Sequence, residues 1–276
     1  MVSPLGVLLE GWRADLASWE IPEHITAAVT ETPWVLPRQV FARRADRESG
    51  APSGPSYDRA WAALDPPGSV LDVGAGAGAA SLPLAGRITS LTAVDSDTGM
   101  LELLASRAGE RGITARCVPG GWLEVAAGVP PADLVTCHHV LYNVPDLAPF
   151  VTALTGHARR AVIVEVTARH PLVTLNGLWL RFHGLRRPES PAADDLLRIL
   201  EEMGLNPSAQ RWSRPAERDY ASLKELADVT RRRLCLPPER TGEVAAALAE
   251  TGAAPQAGLA SAGREVVTIW WPGTAD

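Results

Sequence analysis

The chain has 276 residues, of which 46 % are hydrophobic and 21 % charged, a composition that excludes disordered and fibrous classes. At roughly 150 residues per domain this is one large domain or a core with an appendage, long enough for a sizeable buried core. A formal charge of −6 gives no long-range pull toward nucleic acid or an anionic membrane surface, so neither is expected as a partner. Cys117, Cys137 and Cys235 lie far apart, without the spacing of a metal site. No metal is expected, and a reduced, cytoplasmic compartment fits best. The apolar run Pro4 to Leu9 has no basic leader, and no stretch reaches the roughly 18 apolar residues of a membrane span.

In chain order, residues 1–66 read as a helical N-terminal cap. It comprises a helix from Pro4 to Trp19, a short helix after Pro22, the Pro33/Pro37 stretch, a charge run from Arg38 to Arg47 and a helical segment from Tyr57 to Leu64. The charge run reads as a solvated face, and Arg47 to Pro55, rich in Gly, Pro and Ser, as a linker. After Pro66-Pro67-Gly68 the pattern changes to short apolar runs: Val70 to Val73, Leu91 to Val94, Ala115 to Val118, Leu134 to Cys137 and Ala161 to Val166. Separated by stretches long enough to cross over, these predict an α/β fold, a doubly wound, mostly parallel sheet covered on both faces. Ala192 to Met203 predicts a helix stopped by Gly204. Ala209 to Trp212 and Val266 to Trp271 predict two more strands, flanking a helical insertion, Tyr220 to Leu234 and Glu239 to Glu250.

The strongest chemical signal is Val70-Leu71-Asp72-Val73-Gly74-Ala75-Gly76-Ala77-Gly78, a strand running into a glycine turn and then, by expectation, a helix. Glycines at 74, 76 and 78 allow a tight turn and close backbone approach to a ligand. Glycine spacing alone does not separate a nicotinamide cofactor from other nucleotide-like ones. Asp72, however, precedes the turn where a carboxylate can face a ligand's cationic amino group and would oppose a pyrophosphate. Asp95 ends the second strand 21 residues beyond Gly74, the distance at which a carboxylate reaches ribose hydroxyls.

On VLDVGAGAG, the VDSDTGML stretch and ADLVTCHHVLYNVPDL, the chain resembles the class I S-adenosylmethionine-dependent methyltransferases, over about residues 68 to 166. The resemblance implies a Rossmann-like methyltransferase domain over 67–276, with S-adenosylmethionine as cofactor and S-adenosylhomocysteine as product. It implies that Asp72, Gly74, Ala75, Gly76 and Gly78 hold the methionine end and Asp95 the ribose, with Tyr57, Ser96 and His138 as further cofactor neighbours. Where the family usually grips adenine with an acidic residue, this chain has Val118-Pro119-Gly120-Gly121-Trp122. Adenine is therefore expected against the Gly121 and Trp122 backbone, with the Trp122 indole either packing on it or buried as core.

Acceptor chemistry belongs outside the carboxyl ends of the fourth and fifth strands, which carry His138, His139, Tyr142, Asn143, Thr167 and His170. His139 and His170 are the candidate catalytic residues, since imidazole titrates near neutrality. Many small-molecule O-methyltransferases place a catalytic histidine in a VLHDWPD-like string; here the match reads Val140-Leu141-Tyr142-Asn143-Val144-Pro145-Asp146, with tyrosine in its place. No Pro-Cys dipeptide and no NPPY-like segment after the fourth strand point to a nucleobase as acceptor, so a small molecule is expected. Segments 171–188 and 216–252 are the expected acceptor-side additions. The first, with Trp179, Arg181, Phe182, His183, Arg186 and Arg187, reads either as a charged outer helix face or as a lid over an anionic or aromatic acceptor. Arg231-Arg232-Arg233 reads as an outer face. Two other functions remain open at this stage: a nicotinamide-dependent oxidoreductase, and a cofactor-binding protein without catalysis on the same fold.

Overall fold

The computed structural model describes residues 3–34, 37–215, 220–251 and 263–276. Positions 35–36 of the proline stretch, and 216–219 and 252 of the expected insertion, lie outside the described residues. Seven strands form one sheet: β1 (Gly68–Val73), β2 (Ile88–Asp95), β3 (Ala115–Pro119), β4 (Ala132–His138), β5 (Ala158–Thr167), β6 (Ser208–Arg214) and β7 (Arg264–Pro272). Their order is β3-β2-β1-β4-β5-β7-β6, with β7 antiparallel to both neighbours. The central strands are near-continuous apolar runs because helices cover both their faces; β6, at the edge, is polar and largely exposed. Strand order reverses between β1 and β4, and a crevice opens at the carboxyl ends beside that switch point.

Between the strands run α5 (Thr98–Glu110), α6 (Trp122–Val125), α7 (Leu147–Gly156) and α9 (Ala193–Glu202). Asp97 caps α5 by accepting the Gly99 and Met100 N–H groups. In α9, Leu196, Ile199 and Leu200 face inward while the acidic residues of its first turn stay outside. The helix expected directly after the glycine turn is replaced by turns and a 3-10 segment, Leu82–Arg87. Pro83 lacks an N–H, and the Ser81 hydroxyl is committed to Asp72.

The N-terminal region contributes α1 (Pro4–Ala17), α2 (Glu23–Thr26), α3 (Arg38–Gly50) and α4 (Pro55–Ala63). Trp12 of α1 is buried in the same apolar cluster as β4, β5 and α9, and its indole N–H donates to Val144 O at 2.9 Å. Packing is thus continuous across the boundary expected at residue 66. The Arg47 to Pro55 linker is a correction: α3 runs through to Gly50 and α4 begins at Pro55. The charge run is corrected as well. Arg38 pairs with Asp97, Arg43 with Glu225 and Asp46 with Arg107, so the charges on α3 bind it to its neighbours while Ala45 packs on Ala77 of the glycine turn.

The remaining helices are α8 (Asn176–His183), α10 (Leu223–Arg233) and α11 (Thr241–Glu250). Ile25, Val40, Leu178, Trp179, Leu226 and Leu248 meet in a second apolar cluster. Segments some two hundred residues apart in sequence therefore make one layer over the crevice. Among the described residues no helix is long and apolar enough to cross a membrane.

Candidate active site

The glycine turn is built from backbone. The N–H groups of Gly74 and Ala75 both donate to Val94 O, at 2.8 and 3.0 Å, and that of Gly76 to Asp95 Oδ2 at 2.8 Å. Gly74 has φ +70°, and a Cβ there would lie 2.3 Å from Cγ2 of Val140; at Gly78, φ +90°, it would meet Leu82 at 2.6 Å. Both positions therefore demand glycine. Gly74, Ala75 and Ala77 reach the surface of a cavity of about 870 Å3, near the upper end of the roughly 300–1,000 Å3 of ligand pockets. Tyr57 from α4 and His138 from the end of β4 line the same cavity.

The two aspartates expected at the cofactor stand behind the turn. Asp72 is 1 % exposed and accepts the Ser81 hydroxyl at 2.6 Å and the Thr136 hydroxyl at 3.0 Å. It does not line the cavity, which corrects the expectation that it faces a ligand's amino group directly. Burial raises its pKa to about 6, against the lowering effect of the two hydroxyls. Asp95 is half-buried and accepts Gly76 N–H on one oxygen and Asp97 N–H, at 2.9 Å, on the other. Each oxygen of a carboxylate keeps a further lone pair, so these bonds position Asp95 without exhausting it. Ser96 is exposed and outside the cavity lining.

Beyond β3 the expectation for adenine is corrected in part. Trp122 is 4 % exposed and makes an edge contact with His157, ring centroids 4.8 Å apart; its indole is core. Gly121 donates its N–H to Glu124 at 3.2 Å, and neither residue lines the cavity.

At the opposite wall, His139 has φ +60° and is held twice by one residue. Its backbone N–H donates to Glu165 O at 2.7 Å, and its Nε2 lies 3.0 Å from Glu165 Oε1. Glu165, 1 % exposed, also accepts from Arg214 at 2.6 Å, and Arg214 pairs in turn with Glu48 of α3. Although burial alone would raise its pKa, the His139 hydrogen bond and the His139, His138 and Arg214 charges hold the Glu165 carboxyl well below the usual carboxylate range. A carboxylate only accepts hydrogen bonds, so Nε2 of His139 carries the proton and Nδ1 has the lone pair. Burial lowers the His139 pKa while Glu165 raises it. His138 is pushed down to about 4 by burial, and its Nε2 is buried without a hydrogen-bond partner. Sequence reasoning missed Glu165 and Arg214; the signal was a glutamate inside the apolar run Ala161 to Val166.

His170 lines the cavity as expected, stacked on Trp19 with centroids 4.2 Å apart and edge-on to Tyr142. Its Nδ1 accepts Leu172 N–H at 3.3 Å, and burial pushes its pKa down to about 4. Tyr142, where a catalytic histidine stands in similar enzymes, lines the cavity, and burial raises its phenol pKa. In the 171–188 segment, read either as a charged outer face or as a lid, the side chains bind neighbouring helices and the N-terminal cap. Trp179 is buried, Arg181 pairs with Glu250, His183 meets Leu234 O, and Arg187 donates to Trp19 O and Glu20 O. The arginine triplet is corrected too: Arg231 is 3 % exposed and bound to Glu31, and Arg233 lines the cavity.

The methyltransferase-domain family matches residues 44–210, well over half of the chain, from within α3 to β6. No curated protein matches it. Among solved structures, a cyclopropane-fatty-acyl-phospholipid synthase-like protein from Lactobacillus casei is similar at TM-score 0.53 and 17 % identity, covering 91 % of this chain and 98 % of that one. The YcgJ protein from Bacillus subtilis is similar at TM-score 0.50 and 18 % identity, covering 75 % of this chain and 92 % of that one. At such identities these likenesses establish the fold. The family match sets the nicotinamide reading aside, and its span takes in the glycine turn, Asp95 and the His139–Glu165 pair. The chain belongs to the class I S-adenosylmethionine-dependent methyltransferases, with S-adenosylmethionine as its cofactor.

Proposed function

We propose that this chain methylates a small-molecule acceptor enclosed between the sheet and the helical layer, with His139 as general base and Glu165 as the residue that positions it. The observation that carries this reading is that the His139 ring and the glycine turn line one cavity, with the His139 tautomer set by a buried carboxylate. The cofactor fits the donor set: a backbone turn with glycines where side chains are excluded, Tyr57 on the wall, and a buried His138 Nε2 without a protein partner. Gly74, Ala75, Ala77, Tyr57 and His138 would hold it directly, and Asp95 would take its ribose hydroxyls.

When bound, S-adenosylmethionine supplies a methyl already activated on a sulfonium, so the protein has to align, exclude water and take a proton. Because its pKa is lowered, His139 is neutral at pH 7 and can accept a proton at Nδ1 from an acceptor O–H or N–H; the imidazolium then faces the Glu165 carboxylate that stabilises it. Tyr142 and His170 shape the acceptor side as uncharged walls.

The test has two arms. S-adenosylhomocysteine should bind by calorimetry and raise the melting temperature. Incubation with S-adenosylmethionine and a metabolite panel should give S-adenosylhomocysteine and a methylated product, with turnover lowered about 10²-fold in His139→Ala while cofactor affinity stays within about threefold. Cofactor binding with no product from any acceptor would favour the non-catalytic reading.

A further inference from the structure

Among the described residues, six arginines line the cavity, at 13, 44, 47, 214, 233 and 264, with three glutamates, at 20, 48 and 165, and Arg44, Arg47 and Arg264 each have partners of their own. Arg13 has Asp146, and Arg214 takes up both Glu48 and Glu165. Arg233, the last residue of α10, makes no hydrogen bond or ion pair among the described residues, and its Nε is buried without a partner. The groups that act on it are Tyr220, Arg44, Tyr142 and Arg232, with no carboxylate among them. His170 feels it too, which puts Arg233 over the acceptor side. The same cavity wall carries the apolar and aromatic side chains of Trp19, Phe41, Tyr142, Leu172, Tyr220 and Val229, of which Tyr220 and Tyr142 act on Arg233.

A half-buried guanidinium whose Nε is shut off from water without a partner is expensive to keep, and its pKa is lowered, first of all by burial. Groups that violate packing rules in this way concentrate at functional sites. Arg231, two residues earlier, shows the contrast: it is more deeply buried but bound to Glu31 and Leu236 O, and so is structural.

We propose that Arg233 is an anion-recognition residue and that the methyl acceptor is a small apolar or aromatic molecule bearing an anionic group, a carboxylate or a phosphate monoester, which the guanidinium receives in the cavity. The inference rests on the methyl-transfer reading of this cavity and adds the chemical class of its substrate. A fork of N–H donors matches either anion bidentately. α10 also lies outside the residues that match the family, which places the selecting residue on an addition to the common core.

The test uses the whole chain loaded with S-adenosylhomocysteine, titrated calorimetrically with 4-hydroxybenzoate, indole-3-acetate and phenyl phosphate, and with the neutral 4-hydroxybenzamide and indole-3-acetamide. At least one anion should bind about tenfold or more tighter than its neutral counterpart or than the amides, the carboxylate and phosphate arms telling the two sources apart. Arg233→Met should abolish that preference and leave S-adenosylhomocysteine affinity within about threefold. Arg233→Lys, which keeps the charge and loses the fork, should retain part of it. Because an unpaired buried cation is removed, Arg233→Met should also raise the melting temperature, by roughly 2 °C or more. Equal binding of anions and amides by the wild type, no binding by any anion, or a lower melting temperature in Arg233→Met would overturn the proposal. So would an equal loss of S-adenosylhomocysteine affinity in Arg233→Met, since the arginine would then grip the cofactor's own carboxylate. Failure of S-adenosylhomocysteine to bind the wild type would instead sink the methyl-transfer reading on which the proposal stands.

Discussion

Two buried carboxylates bound the cavity region, Asp72 beneath the glycine turn and Glu165 in the opposite wall, and each is 1 % exposed. Asp72 receives two neutral hydroxyls and has its pKa raised to about 6. Glu165 receives an arginine and a histidine and is held well below the usual range. Equal burial thus gives opposite electrostatic outcomes, because only a formal counter-charge offsets the loss of hydration of an ionised group. The turn side is organised by backbone and hydroxyls, and the acceptor side by charges contributed from elements distant in sequence.

The largest effect should follow from breaking the charged side. Glu165→Gln takes the buried carboxylate from Arg214 and His139, and removing one member of a buried pair destabilises by about 3 kcal/mol or more. Because the native pKa of Glu165 lies below its unfolded value, its contribution is complete above the ordinary carboxylate range and is lost only as pH falls through the depressed value. The penalty, read as the urea midpoint at constant slope, should therefore be the same at pH 6 and pH 8.

Asp72→Asn should act with the opposite sign. The native state holds the Asp72 proton more tightly than the unfolded chain, so its contribution is favourable at low pH and declines as pH rises from about 4 to about 6. At 1.36 kcal/mol per pKa unit, the amide should be more stable than the wild type by up to about 2 to 3 kcal/mol at pH 8 and nearly equal to it near pH 4. Destabilisation at pH 8 would show that the Ser81 and Thr136 bonds outweigh burial and would erase the contrast with Glu165.

Asp95 is the intermediate case, half-buried and bonded to two backbone N–H groups. Asp95→Ala should reduce S-adenosylhomocysteine affinity about tenfold, equivalent to about 1.4 kcal/mol, by removing the proposed acceptor for the ribose hydroxyls and loosening Gly76. An unchanged dissociation constant in a folded variant would limit Asp95 to bracing the turn. The smallest effect should come from Ser96→Ala: an exposed hydroxyl outside the cavity should alter that affinity by less than about threefold.

Six of the seven strands were legible because each is a short, mostly apolar run with turn residues at its ends; β6 is polar and exposed. Gly74 and Gly78 were legible because left-handed backbone and close approach leave few alternatives to glycine. The helix expected after the turn was not, since Pro83 and the Ser81–Asp72 bond act against a pattern that similar folds complete with a helix. Arg38 to Arg47 and Arg231 to Arg233 were misjudged as solvated for a related reason. A charged segment has the same local pattern whether it faces water or a partner, and the partners Glu225, Asp97, Asp46's Arg107 and Glu31 lie about sixty to two hundred residues away.

The amino-acid sequence by itself determined the sheet, the glycine turn, the position of Asp95 and the family, because these depend on local periodicity, backbone conformation and spacing within a contiguous stretch. Tertiary structure alone decided that Asp72 stands behind the turn, that Glu165 meets His139, that Trp122 is core and that Arg233 enters the cavity without a partner among the described residues. Each of those outcomes is a matter of which distant group comes within hydrogen-bonding or Coulomb range in a poorly hydrated interior, and that is set only when α3, α8 and α10 close over the end of the sheet.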